Sequence, residues 1–206
     1  MTSQESAGTS VTTTRRSKIT PEREQEFFGA VLDQLREYGY EALTMEGVAA
    51  KACCSKSTLY RQWKTKPQLV AAAVRSGRCV KFSGVDTGSL AGDLRSAARA
   101  AAQQAGNDTQ LVQALGHAVL SDEELRAALR EALIEPELAA LGAMVDRAVA
   151  RGEIAADHPA LEFLAAQLLG VLRIRPVLES RYADAAYLTR FVDAVVLPAL
   201  GLGEAT

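Results

Sequence analysis

The stretch LTMEGVAAKACCSKSTLYRQWKTK, residues 43–66, reads as two short helices joined by a tight turn. Thr44 offers a side-chain oxygen to cap a helix running through Val48 to Ala52, and Ser55 offers another for a helix carrying Lys56 to Trp63. Val48, Ala52, Cys54 and Leu59 can fill the space between the two, with the small Ala49 where they cross. That is the pattern of a helix-turn-helix, in which the first helix braces the second. Lys56, Ser57, Thr58, Tyr60 and Arg61 are left to point outward, and each can donate a hydrogen bond to a phosphate or a base edge.

The longer run GYEALTMEGVAAKACCSKSTLYRQW, residues 39–63, resembles the N-terminal DNA-binding domain of the tetracycline-repressor (TetR) family of bacterial transcription regulators. The resemblance spans about Glu26 to Val74 and includes Gly39-Tyr40, Leu43-Thr44, Val48-Ala49, Ser55-Lys56, Thr58-Leu59-Tyr60, Trp63 and Lys66. It implies double-stranded operator DNA as the partner and a phosphate contact for Tyr60. Thr44, Tyr60, Trp63, Lys64 and Lys66 are assigned mainly to positioning on the DNA backbone. Lys56, Ser57, Thr58 and Arg61 are the candidates for base edges. For Tyr60 and Trp63 a plain core role stands as the alternative. The chain departs from the family pattern in the turn, where Cys53-Cys54 replaces the usual Gly-Val. A left-handed backbone at Cys53 would cost ~1–2 kcal/mol. The pair is read as tolerated, with a thiol switch beside the reading helix as the rival.

Charge supports a nucleic-acid partner. The 206 residues carry a formal net charge of −2, yet this is unevenly distributed. From Arg15 to Phe82 there are 13 Lys or Arg against 7 Asp or Glu, whereas from Ser83 onward the count is 10 against 17. Between Gly47 and Val85 lie eight basic residues and no acidic one. A basic unit on an acidic remainder is the electrostatic footprint of a DNA binder. Three cysteines are too few for a disulfide framework. Without a signal-peptide core or an uncharged apolar run near the ~18 residues of a membrane span, a cytoplasmic protein with no membrane partner is expected.

Scarce strand signals and abundant Ala, Leu, Arg and Glu predict an all-α fold. It comprises an N-terminal three-helix helix-turn-helix DNA-binding domain joined to a larger helical ligand-binding and dimerisation domain. Residues 1–19 are expected to be a disordered basic arm, with Arg15, Arg16 and Lys18 either reaching a minor groove or merely solubilising. Residues 20–82 form the DNA-binding domain with a connecting helix, and 83–206 the regulatory domain. The first helix is capped by Thr20, opened by Pro21 and stopped by Gly39, with Phe27, Val31, Leu35 and Tyr38 as its apolar stripe. The fourth continues through Leu69, Val70, Ala73, Val74 and Val80, leaving Arg75, Arg78 and Lys81 on other faces. Turn-rich Ser83 to Gly88 marks the boundary.

Beyond it, helical patterns run from Leu90 to Ala105, ending at Gly106-Asn107, and from Leu111 to Leu120. A longer one starts at Asp122 and is kinked or divided at Pro136. Segments 161–178 and 185–200 are apolar around most of their circumference and are expected to pair with their copies in a homodimer. Neither a catalytic constellation nor metal-ligand spacing is evident, so no enzyme, metal or cofactor is expected; His117 and His158 are isolated. The family resemblance implies an apolar cavity for an unidentified small-molecule effector, for which Met144, Phe163, Gln167 and Arg173 are candidates. The expected function is a repressor released from a palindromic operator by an inducer. The alternatives are a DNA-binding regulator without a small ligand, or an enzyme using its helix-turn-helix for protein contacts.

Overall fold

The computed structural model describes residues 19–77, 82–104 and 109–203. The expectations for the N-terminal arm with Arg15, Arg16 and Lys18, for Arg78, Val80 and Lys81, and for a helix end at Gly106-Asn107 lie outside the described residues. The fold is all-α, with no strand among the described residues. Among the described residues no helix is long and apolar enough to cross a membrane.

Helix α1 (Pro21–Ala42) starts as its sequence predicts, with the Thr20 hydroxyl accepting the Arg23 N–H at 3.3 Å and Glu22 and Glu24 in the first turn. Phe27, Val31 and Leu35 form its buried stripe. The stripe does not continue to Tyr38, which is exposed. Gly39, at φ 78°, turns the chain by a conformation that glycine adopts without steric penalty, and Tyr40 takes the inward position instead. Helices α2 (Met45–Lys51), α3 (Lys56–Gln62) and α4 (Lys66–Ser76) follow, each capped by the hydroxyl residue before it: Thr44, Ser55 and Thr65. Each cap satisfies one amide that would otherwise lack a partner.

Helices α5 (Leu90–Gln104), α6 (Thr109–Ser121) and α7 (Glu123–Leu129) come next, and α7 runs through a π turn at Arg130–Ile134 into α8 (Glu135–Ala150). Then come α9 (Leu161–Glu179), α10 (Ala185–Phe191), a second π turn at Val192–Val196 and the short α11 (Leu197–Ala199). The expected break at Pro136 is thus a widened turn rather than an interruption. Proline lacks an N–H and its ring crowds the carbonyl four residues back, so the preceding turn expands. Pro198, two residues beyond the other π turn, repeats the arrangement.

Apolar side chains segregate into two cores. The lower one joins Phe82 with α5, α8, α9, α10 and the C-terminal turns. The upper one contains α1 to α4, and with them Leu111, Leu115 and Ala118 of α6 and Leu125 and Leu129 of α7. Packing therefore crosses the sequence position at which a boundary is expected: α6 and α7 close the core of the N-terminal helices.

The turn-rich segment between them is braced. The Val85 carbonyl accepts from Arg147 at 2.6 Å, and the Leu90 N–H donates to Glu153 at 2.6 Å. Asp93 is fully buried; its Oδ1 accepts both the N–H and the hydroxyl of Thr87, while Oδ2 lies 3.6 Å from Arg147.

A polar tie joins α7 to the end of α1. The Tyr40 hydroxyl donates to Asp122 Oδ2 at 2.8 Å, while Asp122 Oδ1 caps α7 by accepting the Leu125 N–H at 2.9 Å. These bonds, the backbone one first, hold the Asp122 carboxyl below its usual pKa, and burial followed by the Asp122 bond raises that of Tyr40. Because Asp122 is depressed, its contribution is complete above the ordinary carboxylate pKa of ~4 and is lost as pH falls through the folded value. Tyr40→Phe should therefore destabilise the protein by about 1–2 kcal/mol at pH 7 and by less near pH 3, measured by urea denaturation. A penalty independent of pH would contradict the assignment.

Candidate nucleic-acid interface

Helix α3 has seven residues, too few to persist alone, so its position is imposed by what it packs on. Leu59 is fully buried among Val48, Ala49 and Val31 in the upper core. At its C-terminal end Trp63 docks edge-on to Phe27, with ring centroids 5.9 Å apart, and tilted against Phe28 at 5.4 Å. At its N-terminus the Ser55 hydroxyl accepts the Thr58 N–H at 3.3 Å and lies 2.8 and 2.9 Å from the hydroxyls of Ser57 and Thr58.

The turn between α2 and α3 places Cys53 at φ 48°, the left-handed conformation the sequence comparison anticipates. The Cys53 N–H donates to the Ala50 carbonyl at 3.2 Å and the Cys54 N–H to Ala49 at 2.9 Å, the two bonds of a Schellman motif. From α1, the Arg23 guanidinium donates to the carbonyls of Ala52 and Cys53 at 2.6 and 3.1 Å. Cys53 is exposed; Cys54 is half-buried with its thiol pKa raised by burial, which keeps it protonated and weakly nucleophilic.

The outward face of α3 presents Lys56, Ser57, Tyr60 and Arg61, with Thr58 half-buried beside its cap. Tyr60 is 46% exposed, so its ring is not a core element. Lys56 reaches back to Glu46 of α2 at 2.6 Å, and this bond, ahead of any other cause, lowers the Glu46 pKa. An exposed pair of this kind is worth little and can be exchanged for a phosphate or base. Thr44 and Lys64 are also exposed, on the caps and turns that flank the pair of helices.

Two expected contacts are corrected. The Trp63 indole is 7% exposed and is held between the phenylalanines of α1, which makes it a core residue rather than a backbone contact. Lys66 turns its ammonium inward, donating to the carbonyls of Tyr40 and Leu43 at 2.9 and 3.0 Å and lying 4.0 Å from the Tyr40 ring centroid. It adds a charged donor to the carbonyls where α1 ends, of which that of Tyr40 also accepts the Leu43 N–H at 3.2 Å. No local sequence signal separates it from Lys64. Arg23 as a clasp on the turn, and the Tyr40–Asp122 tie, escape sequence reading because their partners are remote along the chain.

A cavity of about 640 Å³ lies beneath this head. Its walls come from Val74 of α4, Leu111, Leu115 and Val119 of α6, and Leu129, Leu133 and Ile134 around the first π turn, with Arg126, Arg130 and Arg173 among its lining. Of the four residues expected at a pocket, Arg173 lines it. Met144 is fully buried in the lower core, and neither half-buried Gln167 nor exposed Phe163 is part of the wall. This cavity is walled mainly by α6, α7 and the first π turn, beside the core of the DNA-binding head.

Residues 30–73 match the family model described as bacterial regulatory proteins, tetR family, and residues 85–195 match the tetracyclin repressor-like C-terminal domain. The chain belongs to the TetR family. It is accordingly a helix-turn-helix, DNA-binding transcriptional regulator. An uncharacterised helix-turn-helix transcriptional regulator of Mycobacterium tuberculosis is 32% identical over 178 residues, 86% of this chain and 88% of its own. The DNA-binding transcriptional repressor TetR of Mycobacteroides abscessus is 35% identical over 143 residues, 66% of this chain and 72% of its own. Among solved structures, the TetR family transcription regulator SCO0332 aligns with a TM-score of 0.62 at 27% identity, covering 88% of this chain and 98% of that one.

For this TetR-family member, Cys53→Gly should raise stability by about 0.5–1 kcal/mol in urea denaturation, since glycine relieves the left-handed strain at some entropic cost. A neutral or destabilising result would show that the turn carries no strain. The two lysines near α4 should separate cleanly. Lys66→Ala should destabilise the fold by about 2–3 kcal/mol through loss of charge-assisted bonds. Lys64→Ala should leave stability within about 0.5 kcal/mol and reduce the salt dependence of DNA binding by one phosphate contact. Equal effects of the two changes would refute this assignment.

Proposed function

We propose that the protein is a homodimeric repressor, acting in the cytoplasm, that leaves a palindromic operator when a small molecule occupies the cavity under its DNA-binding head. The observation that carries this reading is the sharing of walls. Val74 of α4, Leu111, Leu115 and Val119 of α6 and Leu129 of α7 line the cavity and belong to, or pack against, the core that seats α3. A ligand that prefers a different arrangement of those helices lowers operator affinity by its differential affinity for the two states.

Dimerisation is supported by the far end of the chain. Phe163, Ile174, Val177 and Leu178 on α9 and Val195 near α11 are exposed, with Val177 at 77%. An apolar face of this extent is one that a partner covers. A second copy packed through 161–178 and 185–200 would give two-fold symmetry, placing two α3 helices about 34 Å, or a multiple of it, apart on DNA. In each half-site Lys56, Ser57, Thr58 and Arg61 would reach base edges, and Thr44, Tyr60 and Lys64 the phosphates. The repressor sense follows the M. abscessus relative.

Selection of bound sequences from random double-stranded DNA should return a palindrome. Arg61→Ala should then relax preference at one symmetric position by about 1–3 kcal/mol. Uniform weakening across sequences would reassign Arg61 to a phosphate, and no enrichment at all would sink the operator reading.

A further inference from the structure

We infer that the cavity takes an amphipathic anion: a small molecule with an apolar body and a carboxylate, sulfonate or similar group. The inference rests on the reading of this cavity as an effector site and specifies the chemistry it selects. The volume of about 640 Å³ falls within the ~300–1,000 Å³ of small-molecule sites, and the wall formed by Leu115, Leu129, Leu133 and Ile134 is apolar. The ionised groups among the lining residues are three arginines, Arg126, Arg130 and Arg173, against one carboxylate, Glu123. They come from α7, the π turn and α9, so the positive charge is gathered by the fold from separate elements.

The ion pairs that two of these arginines make are loose. Arg126 lies 3.8 Å from Glu123, and Arg130 lies 3.6 Å from Glu135, with all four side chains more than half exposed. Pairs of that kind contribute little, and an incoming anion can replace their carboxylates at low cost. A guanidinium favours planar oxyanions, to which it can donate two parallel hydrogen bonds. Arg130, Leu133 and Ile134 all lie within the first π turn and line the same cavity, so one stretch of chain supplies both charged and apolar parts of the site. A neutral apolar compound would use the leucine wall alone. A cationic one would meet three arginines against the one lining carboxylate of Glu123.

The test compares two fluorescent probes with the same arylamine body, 1-anilinonaphthalene-8-sulfonate and the neutral N-phenyl-1-naphthylamine, titrated into the full-length protein. The sulfonate probe should bind about tenfold more tightly, the equivalent of one charge-assisted hydrogen bond. Arg130→Gln and Arg173→Gln should each remove several-fold of that preference while leaving the neutral probe within about twofold. Dodecanoate should displace the sulfonate probe at lower concentration than dodecan-1-ol. Gly116→Phe should block both probes: Gly116 lines the cavity, and a Cβ there meets no atom within 4 Å, so a ring can be added without displacing core side chains. Ala127→Trp, also on the lining, serves the same purpose if the first variant does not fold. Equal affinity for the two probes, unchanged by the arginine substitutions yet blocked by the filling variants, would overturn the anion assignment and leave the effector site standing. Absence of saturable binding by either probe, or binding indifferent to both filling variants, would overturn the effector site itself.

Discussion

A seven-residue helix has no stability of its own in water, and two of them, α2 and α3, carry the outward chemistry of this regulator. Everything about the upper half of the molecule follows from holding them still. Leu59 is driven into the core from one side of α3, Trp63 is clamped by Phe27 and Phe28 at its end, and Arg23 clasps the turn before it. Losing a fully buried leucine from such a core costs about 2–5 kcal/mol, a large share of the stability of a small domain. The exposed residues of α3 can be varied to suit an operator because none of that burden falls on them.

The N-terminal helices do not supply the whole of that support. Leu111, Leu115 and Ala118 from α6 and Leu125 and Leu129 from α7 complete their core, and the Tyr40–Asp122 bond fixes the start of α7 to the end of α1. Lys66 strengthens the same junction by bridging the carbonyls of Tyr40 and Leu43. A cavity bordered by α4, α6 and α7 consequently lies next to the packing that orients α3. In the proposed mechanism no long relay is needed, because a ligand that shifts α6 or α7 alters the seat of the head directly.

How much of this could be read in the sequence depended on whether the governing interaction is local. The caps Thr20, Thr44, Ser55 and Thr65 act on amides three residues away, and all four are visible as side-chain oxygens before helical patterns. The left-handed turn at Cys53 was legible for the same reason, given the family resemblance. The inward turn of Lys66 was not, since its acceptors lie 26 and 23 residues earlier, and its neighbour Lys64 has the same chemistry and points out. Trp63 satisfied both a core and a surface reading, and the orientation of α3 against α1 decided it. The place of the cavity is not legible in the sequence, because periodicity shows that α6 and α7 have apolar faces without showing which of two cores those faces join. Met144, an obvious pocket residue by type, belongs to the other core.

Packed into one core, α6 and α7 should unfold as one cooperative unit with the DNA-binding head, which native-state hydrogen exchange can show. Amides of α6 and α7, such as those of Val119, Leu125 and Leu129, should open with the same free energy as those of Val31 in α1 and Val70 in α4. They should respond together with them to low concentrations of denaturant. If α1 to α4 open separately while α6 and α7 retain the protection of α5 and α10, the head has its own core and α6 and α7 are not part of it.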